Sequence, residues 1–261
     1  MNLSLHGKTA VVCGSSQGIG LACAKELALL GANCILLARN ADSLHDVINQ
    51  LHIAGDQSHH YAVADFSDIE SVRSAITEIV SQYPVEILIN NSGGPAAGLI
   101  TEAAELSFID AFNQHLICNH LLTQAVIPGM KAAEYGRIIN IISTSIKIPL
   151  NNLGVSNTIR GAVASWAKTM ANELGQYNIT VNNILPGLTS TQRLESLIAN
   201  TSAKKKMSRN MVVSDMLEEI PMKRFGDAAE TAAVVAFLAS PAASYVNGTS
   251  IPVDGGKTGS I

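Results

Sequence analysis

Short runs of apolar and β-branched residues alternate with longer helical patterns, and this alternation constrains the fold more than any other feature. The strand-like runs are KTAVVCG, NCILLAR, HYAVADF, VEILINN, GRIINIIS, NITVNNI and TSIPVDGG. The segments between them predict helices at Ile19–Leu30, after Ala41, at Asp68–Ser81, Phe108–Met130 and Val155–Leu174, and at AAVVAFLA. This order predicts βαβ units with right-handed crossovers around a buried parallel sheet. We therefore expect an α/β fold, a doubly wound and mostly parallel seven-stranded sheet between two helical layers.

A single domain is expected over residues 1–261. Hydrophobic residues make up 47% of the chain and charged residues 15%, which is enough apolar material for a core covered on two faces. Internal repeats, low-complexity stretches and a dividing linker are all absent from the sequence. A polar segment at about Thr189–Glu219 interrupts the alternation and is expected to belong to the same unit.

Charge and hydropathy exclude several classes of partner. The net charge of −4 and the isoelectric point near 6.0 argue against a nucleic-acid surface, and Lys204–Lys206 is too short a basic run to change this. A signal-peptide pattern and a run of about 18 apolar residues are both missing, so we expect no membrane partner and a cytoplasmic location. The four cysteines lack CxxC spacing, which favours buried thiols. The pair His59–His60 has no third ligand at a matching spacing, so no metal site is predicted.

A glycine-rich loop follows the first predicted strand and leads directly into a helix. Its sequence is Gly14-Ser-Ser-Gln-Gly-Ile-Gly20. Glycine allows a tight turn and a close backbone approach, and a helix N-terminus offers free N–H groups to a pyrophosphate. The loop therefore predicts a dinucleotide site, in which an open α/β sheet places its ligand at the carboxyl ends of the strands.

The spacing GxxxGxG and five further motifs resemble the short-chain dehydrogenase/reductase family over essentially the whole chain. The motifs are Asp65-Phe66, Asn90-Asn-Ser-Gly93, Ser143, Pro186-Gly187 and Val253-Asp-Gly-Gly256. The resemblance implies a Rossmann-type fold, a nicotinamide cofactor and a homo-oligomer, tetrameric or dimeric, with the long middle helices at an interface. The 3-oxoacyl-carrier-protein reductases are the type that the chain resembles most.

The same resemblance implies a set of cofactor-binding residues. Asp65 is expected to accept a hydrogen bond from the adenine amino group, and Asn91, Ser92 and Gly93 to lie along the adenosine ribose. Pro186, Gly187 and Thr189 are expected to line the nicotinamide. The remaining expected contacts are Gly14, Ser16, Gln17, Gly18, Ile19, Gly20, Phe66 and Arg160.

Arg39 bears on the choice between the two nicotinamide cofactors. An acidic residue at the end of the second strand would bind the ribose 2′-hydroxyl, but this chain has Ala38-Arg39-Asn40 there. Arg39 can pair with a 2′-phosphate, so NADP(H) is favoured, with NAD(H) as the alternative. If Arg39 were only a surface residue, its replacement would leave NADPH affinity unchanged.

The catalytic pattern departs from the family at GVSNTIR, residues 154–160. Family members carry a serine, a tyrosine, a lysine four residues later and a preceding asparagine. Here Ser143 keeps the serine position, whereas Ser156, Arg160 and His115 occupy the other three. A serine hydroxyl is far less acidic than a tuned tyrosine, and arginine keeps its charge but does not relay a proton. We therefore expect Ser143, Ser156 and Arg160 to bind the carbonyl oxygen.

The sequence leaves the source of the proton open between water and His115. His115 has a suitable intrinsic pKa, but the alternative is a satisfied polar residue on a buried helix. Ser145 and Lys147 lie on the loop that borders the substrate and are further candidates. A second interpretation of GVSNTIR is a helix start, with Ser156 or Asn157 as N-cap. Cys13 is expected to be a small buried residue and not a reactive thiol.

Three functions are compatible with these residues. The first is an NADP(H)-dependent oxidoreductase that interconverts a carbonyl and an alcohol, acting on a ketone or a 3-oxoacyl substrate. The second is a catalytically impaired cofactor binder or sensor, and the third is a structural subunit. Substrate selection is expected in Gly94–Ile100 and in Leu188–Glu219, where the amphipathic runs LESLIAN and SDMLEEI predict a helical lid.

Overall fold

A computed structural model of the chain describes residues 1–260. Seven strands follow one another as β1 (Thr9–Cys13), β2 (Asn33–Ala38), β3 (His60–Val63), β4 (Ile87–Asn90), β5 (Gly136–Ile141), β6 (Ile179–Pro186) and β7 (Ser250–Val253). The α-helices are α1 (Gly18–Leu29), α2 (Ala41–Ile48), α3 (Ile69–Gln82), α4 (Glu105–Phe112), α5 (Cys118–Ala132), α6 (Gly154–Leu174), α7 (Gln192–Lys205), α8 (Arg209–Glu218) and α9 (Ala228–Ala239). The predicted strands and helices are thus confirmed within a few residues at their ends.

All seven strands are parallel and form one sheet in the order β3-β2-β1-β4-β5-β6-β7. The order reverses between β1 and β4, because the chain first builds outward through β2 and β3 and then crosses back to the other side of β1. Such a switch point leaves a crevice at the carboxyl ends of the strands, which is where open α/β sheets bind ligands. The predicted doubly wound fold is confirmed.

Strand alternation distributes the core between the two faces of the sheet. In β1, Ala10 and Val12 pack with the layer formed by α1, α2 and α9, whereas Val11 and Cys13 pack with the layer formed by α3, α5 and α6. Every residue of β1 is buried, as expected for a strand covered on both faces. The sheet is therefore the middle of three layers, and both helical layers flank the crevice.

Three details refine the sequence-based expectations. The long helix predicted through Phe108–Met130 contains a π-helical turn at Asn113–Ile117, which separates α4 from α5. The polar segment after Thr189 forms α7 and α8, which are joined by an ion pair between Arg209 and Glu195. All four cysteines are buried as free thiols. Within residues 1–260, the helices are too short or too polar to cross a membrane.

Candidate active site

The glycine loop adopts a backbone that only glycine supports at its key positions. Gly14 and Gly18 have φ values of 58° and 57°, in the left-handed region that disfavours other residues. A Cβ atom on Gly20 would collide with the Gly14 carbonyl and would lie 2.8 Å from Asn91 Nδ2. The loop is therefore folded tightly against the end of β4, and its glycines cannot be replaced without a shift of the backbone.

The start of α1 is suited to an anion. The helix begins at Gly18, the preceding Gln17 provides no side-chain cap, and the first turn contains no acidic residue. Its first backbone N–H groups therefore have no intrahelical acceptor and carry the positive end of the helix dipole. The Ser15 hydroxyl in the same loop is buried and has no hydrogen-bond partner among the described residues. This orphan hydroxyl and the free N–H groups fit the pyrophosphate of a dinucleotide.

Asn91 supports the loop from behind. Its Nδ2 atom donates to the carbonyl oxygens of Cys13 and Gly14, at 3.2 and 3.4 Å. These bonds join the end of β4 to the end of β1, the two strands at the switch point. The amide nitrogen of Asn91 thus holds the loop, and its expected contact with the ribose stays a prediction.

Asp65 and Arg39 lie near each other, just after the carboxyl ends of β3 and β2. One oxygen of Asp65 accepts bonds from the backbone N–H and the hydroxyl of Ser67, at 2.9 and 2.7 Å. These bonds lower the pKa of Asp65, and the positive charge of Arg39 contributes in the same direction. Asp65 is thus held ionised with its second oxygen available, while the exposed Arg39 has no salt bridge within the described part of the chain.

The segment after β6 closes the crevice from the other side. Pro186 ends β6, and a Cβ atom on Gly187 would lie 2.7 Å from Asp254 Cα, so the chain there runs directly against the turn after β7. Thr189 is buried and its hydroxyl donates to the Gly187 carbonyl at 3.2 Å. Two residues later, Thr191 lies beside Gly18, which brings the start of α7 against the glycine loop.

A row of buried amides crosses the sheet beneath the crevice, a feature that the sequence analysis did not predict. Asn90 Nδ2 donates to Asn140 Oδ1 at 2.9 Å, Asn140 Nδ2 donates to Asn183 Oδ1 at 2.9 Å, and Asn183 Nδ2 donates to Ser250 Oγ at 3.0 Å. The four side chains have matched register in β4, β5, β6 and β7. The sequence did contain a signal for this row, because the strand-like runs VEILINN, GRIINIIS and NITVNNI each carry an asparagine near the end. The row fixes the strand ends that hold the site.

Ser143 follows the end of β5 with its hydroxyl oriented by the chain. Its Oγ atom accepts a hydrogen bond from the Ser145 backbone N–H at 3.1 Å and caps the short 3₁₀ turn Thr144–Ile146. Because the oxygen accepts this bond, the hydroxyl hydrogen remains available to a ligand. Ser145 itself is buried with an unpartnered hydroxyl, whereas Lys147 is exposed.

Ser156 and Asn157 lie within α6 and do not cap it. The helix begins at Gly154 after Leu153, which provides no side-chain cap, so the N-cap interpretation of either residue is wrong. Asn157 instead donates to the Leu150 carbonyl at 2.8 Å. The reason for the earlier helix start is a contact: the preceding chain pairs with Gly98, and a Cβ atom on Gly154 would collide with Ile100. Ser156 is consequently one turn above Arg160, on the same buried side.

Arg160 crosses from α6 to the end of β5. Its side chain is buried, and its Nη1 atom donates to the Ile141 carbonyl at 3.0 Å. Burial, and to a smaller extent the charge of Arg193, lower the pKa of Arg160 to about 10, so it is still cationic at neutral pH. The guanidinium is thus tied to the strand that presents Ser143 two residues later.

His115 lies in the π-helical turn and is buried, with 1% of its surface exposed. Its Nδ1 atom lies 2.8 Å from Ser92 Oγ, while Nε2 is buried without a partner among residues 1–260. Burial, followed by the charges of Arg160 and Arg193, lowers its pKa to about 2. The imidazole is therefore neutral at physiological pH, and both interpretations of His115, as a catalytic group and as a polar residue of a buried helix, stay predictions.

Arg193 is a site residue that sequence reasoning missed. It projects from the start of α7, and its Nη1 atom lies 3.3 Å from the Gly94 carbonyl after β4. Burial is the main cause of the lowered pKa values of Arg160 and His115, and the positive charge of Arg193 adds to both shifts. The sequence showed Arg193 only as a cationic residue within Leu188–Glu219, the segment expected to select the substrate.

The fold and this cleft define a dinucleotide-binding protein with hydroxyl and guanidinium donors at the reacting end. Residues 14–258 match the family model described as enoyl-(acyl carrier protein) reductase. The chain therefore belongs to the short-chain dehydrogenase/reductase family.

Individual relatives span nearly the whole chain. The NADPH-dependent reductase BacG of Bacillus subtilis is 33% identical, with 97% of this chain and 99% of BacG covered. The 3-oxoacyl-[acyl-carrier-protein] reductase FabG of Pseudomonas aeruginosa is 35% identical, with 97% and 98% covered. The crystal structure of L-sorbose reductase from Gluconobacter frateurii, complexed with NADPH and L-sorbose, has a TM-score of 0.93 at 30% identity and covers both chains fully.

Proposed function

We propose that this protein is an NADP(H)-dependent oxidoreductase that interconverts a carbonyl and an alcohol. The observation that carries the proposal is the convergence of Ser143 and Arg160 on the end of β5, where Arg160 Nη1 donates to the Ile141 carbonyl. This point borders the switch-point crevice, whose glycine loop and helix start fit a dinucleotide. A hydroxyl and a cation beside a nicotinamide site suit a carbonyl oxygen that gains negative charge.

The residues of the chain hold the reacting oxygen. The Ser143 hydroxyl donates to it, since its own oxygen is already oriented by the Ser145 N–H. Arg160 has donors beyond the one used on Ile141, and these stabilise the alkoxide that forms. Ser156, one turn earlier on α6, contributes a further hydroxyl. NADPH held by the glycine loop and the start of α1 would supply the hydride.

Proton supply differs from that of family members with tyrosine and lysine. The neutral His115 does not store a transferable proton as an imidazolium, given its pKa of about 2. We infer that water delivers the proton to the alkoxide oxygen, with the open Nε2 of His115 holding such a water as acceptor or donor. Reduction then adds one hydride and one proton, and oxidation of the alcohol returns both.

The preference for NADP(H) is supported by Arg39 and by the absence of an acidic residue at the end of β2. Arg39 is exposed beside Asp65 and can pair with a 2′-phosphate. The relatives BacG and L-sorbose reductase are described as an NADPH-dependent enzyme and an NADPH complex, which agrees with this choice.

Activity is tested by NADPH oxidation with ketones and 3-oxoacyl thioesters. Ser143→Ala is expected to lower kcat/KM by about 100-fold, because the loss of one donor to a developing oxyanion typically costs this much. Ser81→Ala is the matched control, since Ser81 bonds only within the last turn of α3. If Ser143→Ala retained the wild-type rate in protein free of contaminating reductase, the assigned role of Ser143 would be lost.

A second candidate is a cofactor binder or sensor without turnover. Two features favour it. His115 is neutral, because its pKa is lowered to about 2. In addition, serine and arginine stand where most family members have the tyrosine and lysine that transfer the proton. NADPH binding without oxidation by any substrate would support it. A purely structural subunit is disfavoured by the orphan Ser15 hydroxyl and the uncapped start of α1, which suit a ligand.

The same proposal includes a homo-oligomer, tetrameric or dimeric, and a cytoplasmic location. Leu106, Ile109 and Phe112 are exposed on α4, on the middle helices where a second copy would pack. Reduced, buried cysteines suit a reducing compartment. Light scattering after size-exclusion chromatography measures the assembly, and a monomer at micromolar concentration would contradict it.

A further inference from the structure

Three nitrogen-bearing side chains from different parts of the chain converge at the reacting end of the cleft. Arg160 comes from α6, Arg193 from the start of α7 and His115 from the π-helical turn. Arg193 Nη1 reaches the Gly94 carbonyl across the cleft at 3.3 Å. A Cβ atom on Gly94 would lie 2.6 Å from Arg193 Nη2, so a larger residue at 94 would displace the guanidinium.

The cluster has no negative partner within the described part of the chain. The ion pairs found in residues 1–260 involve neither Arg160 nor Arg193. The positive charges of those two arginines contribute to the lowered pKa of His115, and the charge of Arg193 contributes to the lowered pKa of Arg160. A buried cation beside a second cation is unfavourable unless an anion joins them.

The other buried arginine shows how this chain satisfies a guanidinium without a carboxylate. Arg137 donates to the carbonyl oxygens of Ser240, Gly136 and Asn178 and lies 4.0 Å from the Tyr135 ring centre. Arg160, by contrast, has a single carbonyl partner, Ile141. Its Nε and Nη2 atoms have no hydrogen-bond partner in residues 1–260, and they are not fully enclosed by the protein.

His115 is an independent indication that a ligand binds in the cleft beside Arg160 and Arg193. Its Nε2 atom is unpartnered although the side chain is almost fully buried. Buried polar atoms are normally hydrogen-bonded, and an exception in a cleft indicates a missing water or ligand group. The open nitrogen and the free guanidinium donors together outline a polar subsite next to Ser143.

We propose that the substrate carries a carboxylate as well as its carbonyl, and that Arg193 and Arg160 bind the carboxylate. This inference rests on the proposed function and specifies its substrate class as oxo acids or the matching hydroxy acids. Guanidinium groups suit a carboxylate because their planar donors match its two oxygens. Arg193 is exposed at the opening of the cleft, where the carboxylate of the substrate enters. Arg160 is buried and binds the substrate near its carbonyl group.

Acid and amide pairs of equal shape provide the test. Three acids are used, pyruvate, acetoacetate and 4-oxopentanoate, and they place the carboxylate at three distances from the ketone. Each acid is compared with its amide, namely pyruvamide, acetoacetamide and 4-oxopentanamide. NADPH oxidation gives kcat/KM for each, and calorimetry gives the affinity of each for the enzyme bound to NADP⁺. Arg193→Gln is the test variant, and Arg73→Gln is its control because Arg73 pairs with Glu70 on α3.

We expect at least one acid to be preferred over its amide by about tenfold or more, as for a charge-assisted hydrogen bond. Arg193→Gln should remove that preference and leave NADPH affinity unchanged, while Arg73→Gln should keep it. The inference is overturned if every amide equals its acid, if no acid is bound or reduced, or if Arg193→Gln weakens NADPH binding with the preference intact.

Two outcomes separate this inference from the proposed function. Equal reduction of acids and amides keeps the reductase and removes the carboxylate site. Selective, Arg193-dependent binding of an acid without NADPH oxidation keeps the site and removes the reductase. Dihydroxyacetone phosphate and dihydroxyacetone form a fourth pair, and a preference confined to the phosphate would overturn the assignment to carboxylates.

Discussion

The Oγ atom of Ser92 lies 2.8 Å from Nδ1 of His115, and this contact joins the end of β4 to the π-helical turn between α4 and α5. It orients the imidazole so that the unpartnered Nε2 is the atom left for a ligand or water. The π-helical turn matters here because it adds a residue to the turn and changes which side chains face the sheet. The Ser92 hydroxyl thus fixes the orientation of the His115 ring, and Nε2 of the same ring has no hydrogen-bond partner among the described residues.

His115→Asn is expected to change how stability depends on pH. The pKa of His115 is lowered to about 2, so its imidazole gains a proton below about pH 6.5 only when the protein unfolds. The stabilising effect of His115 is full above about pH 6.5 and is lost as the pH falls toward 2, by up to about 1.4 kcal/mol per pH unit. Urea unfolding of both proteins at pH 7.5 and 5 measures this.

His6→Asn is the control for that experiment, because His6 is exposed. The wild type and His6→Asn should lose more stability than His115→Asn between the two pH values. Equal losses in all three proteins would show that His115 is protonated in the folded state. The rate of NADPH oxidation should also show no inflection that depends on His115 near neutral pH.

Gly20→Ala is expected to weaken cofactor binding. The added Cβ would collide with the Gly14 carbonyl and press on Asn91, which forces the phosphate loop to move. We expect NADPH affinity to fall by at least about tenfold and stability by about 1–3 kcal/mol, as for overpacking. Gly161→Ala in α6 is the control, because its Cβ would meet open space. Unchanged NADPH affinity in Gly20→Ala would contradict the assigned phosphate site.

Arg39→Asp is expected to reverse the cofactor preference. The substitution replaces a cation that pairs with the 2′-phosphate by an anion that repels it, while an acidic residue there can bind the free ribose hydroxyl. NADPH affinity should fall by about tenfold or more, and NADH affinity should be retained or rise. Parallel titrations of wild type and variant measure both, and equal NADPH affinities would make Arg39 a surface residue only.

Ser156→Tyr combined with Arg160→Lys tests whether the site still accepts the proton-transfer groups common in the family. A tyrosine with a nearby lysine can act as a general acid, which typically accelerates a reaction by about 100-fold or more. We expect faster reduction of acetoacetamide, which lacks the carboxylate, together with a new dependence on pH. Arg160→Lys alone is the control, since it supplies no acid. Equal rates in both variants would show that the cleft does not position the tyrosine.

Local sequence signals predicted the fold and the position of the glycine loop well. The strand-like runs had the period and length of buried strands, and the glycine loop had to sit between β1 and α1. These features depend on residues near one another in sequence, so pattern and propensity were sufficient. The family resemblance then placed Ser143 at the end of β5, where the structure has it.

The remaining features depend on contacts between distant segments. Asn91 turned out to brace the loop because Cys13 and Gly14 lie beside it only after β1 and β4 pair. Ser156 is not the N-cap of α6, because the helix already begins at Gly154. Its start is packed against Ile100, and the preceding residue pairs with Gly98. The lowered pKa of His115 comes from burial and two distant arginines, none of which sequence spacing reveals.

The most direct test of the account is a fluorescence titration of the purified protein with NADPH and, separately, with NADH. The glycine loop, the uncapped start of α1 and Arg39 predict saturable binding of both, with NADPH bound about tenfold or more tightly. That result would establish the cofactor cleft on which the reductase and its carboxylate subsite depend. If neither nucleotide bound, the account would be contradicted, because the glycine loop and the uncapped start of α1 would then hold no dinucleotide.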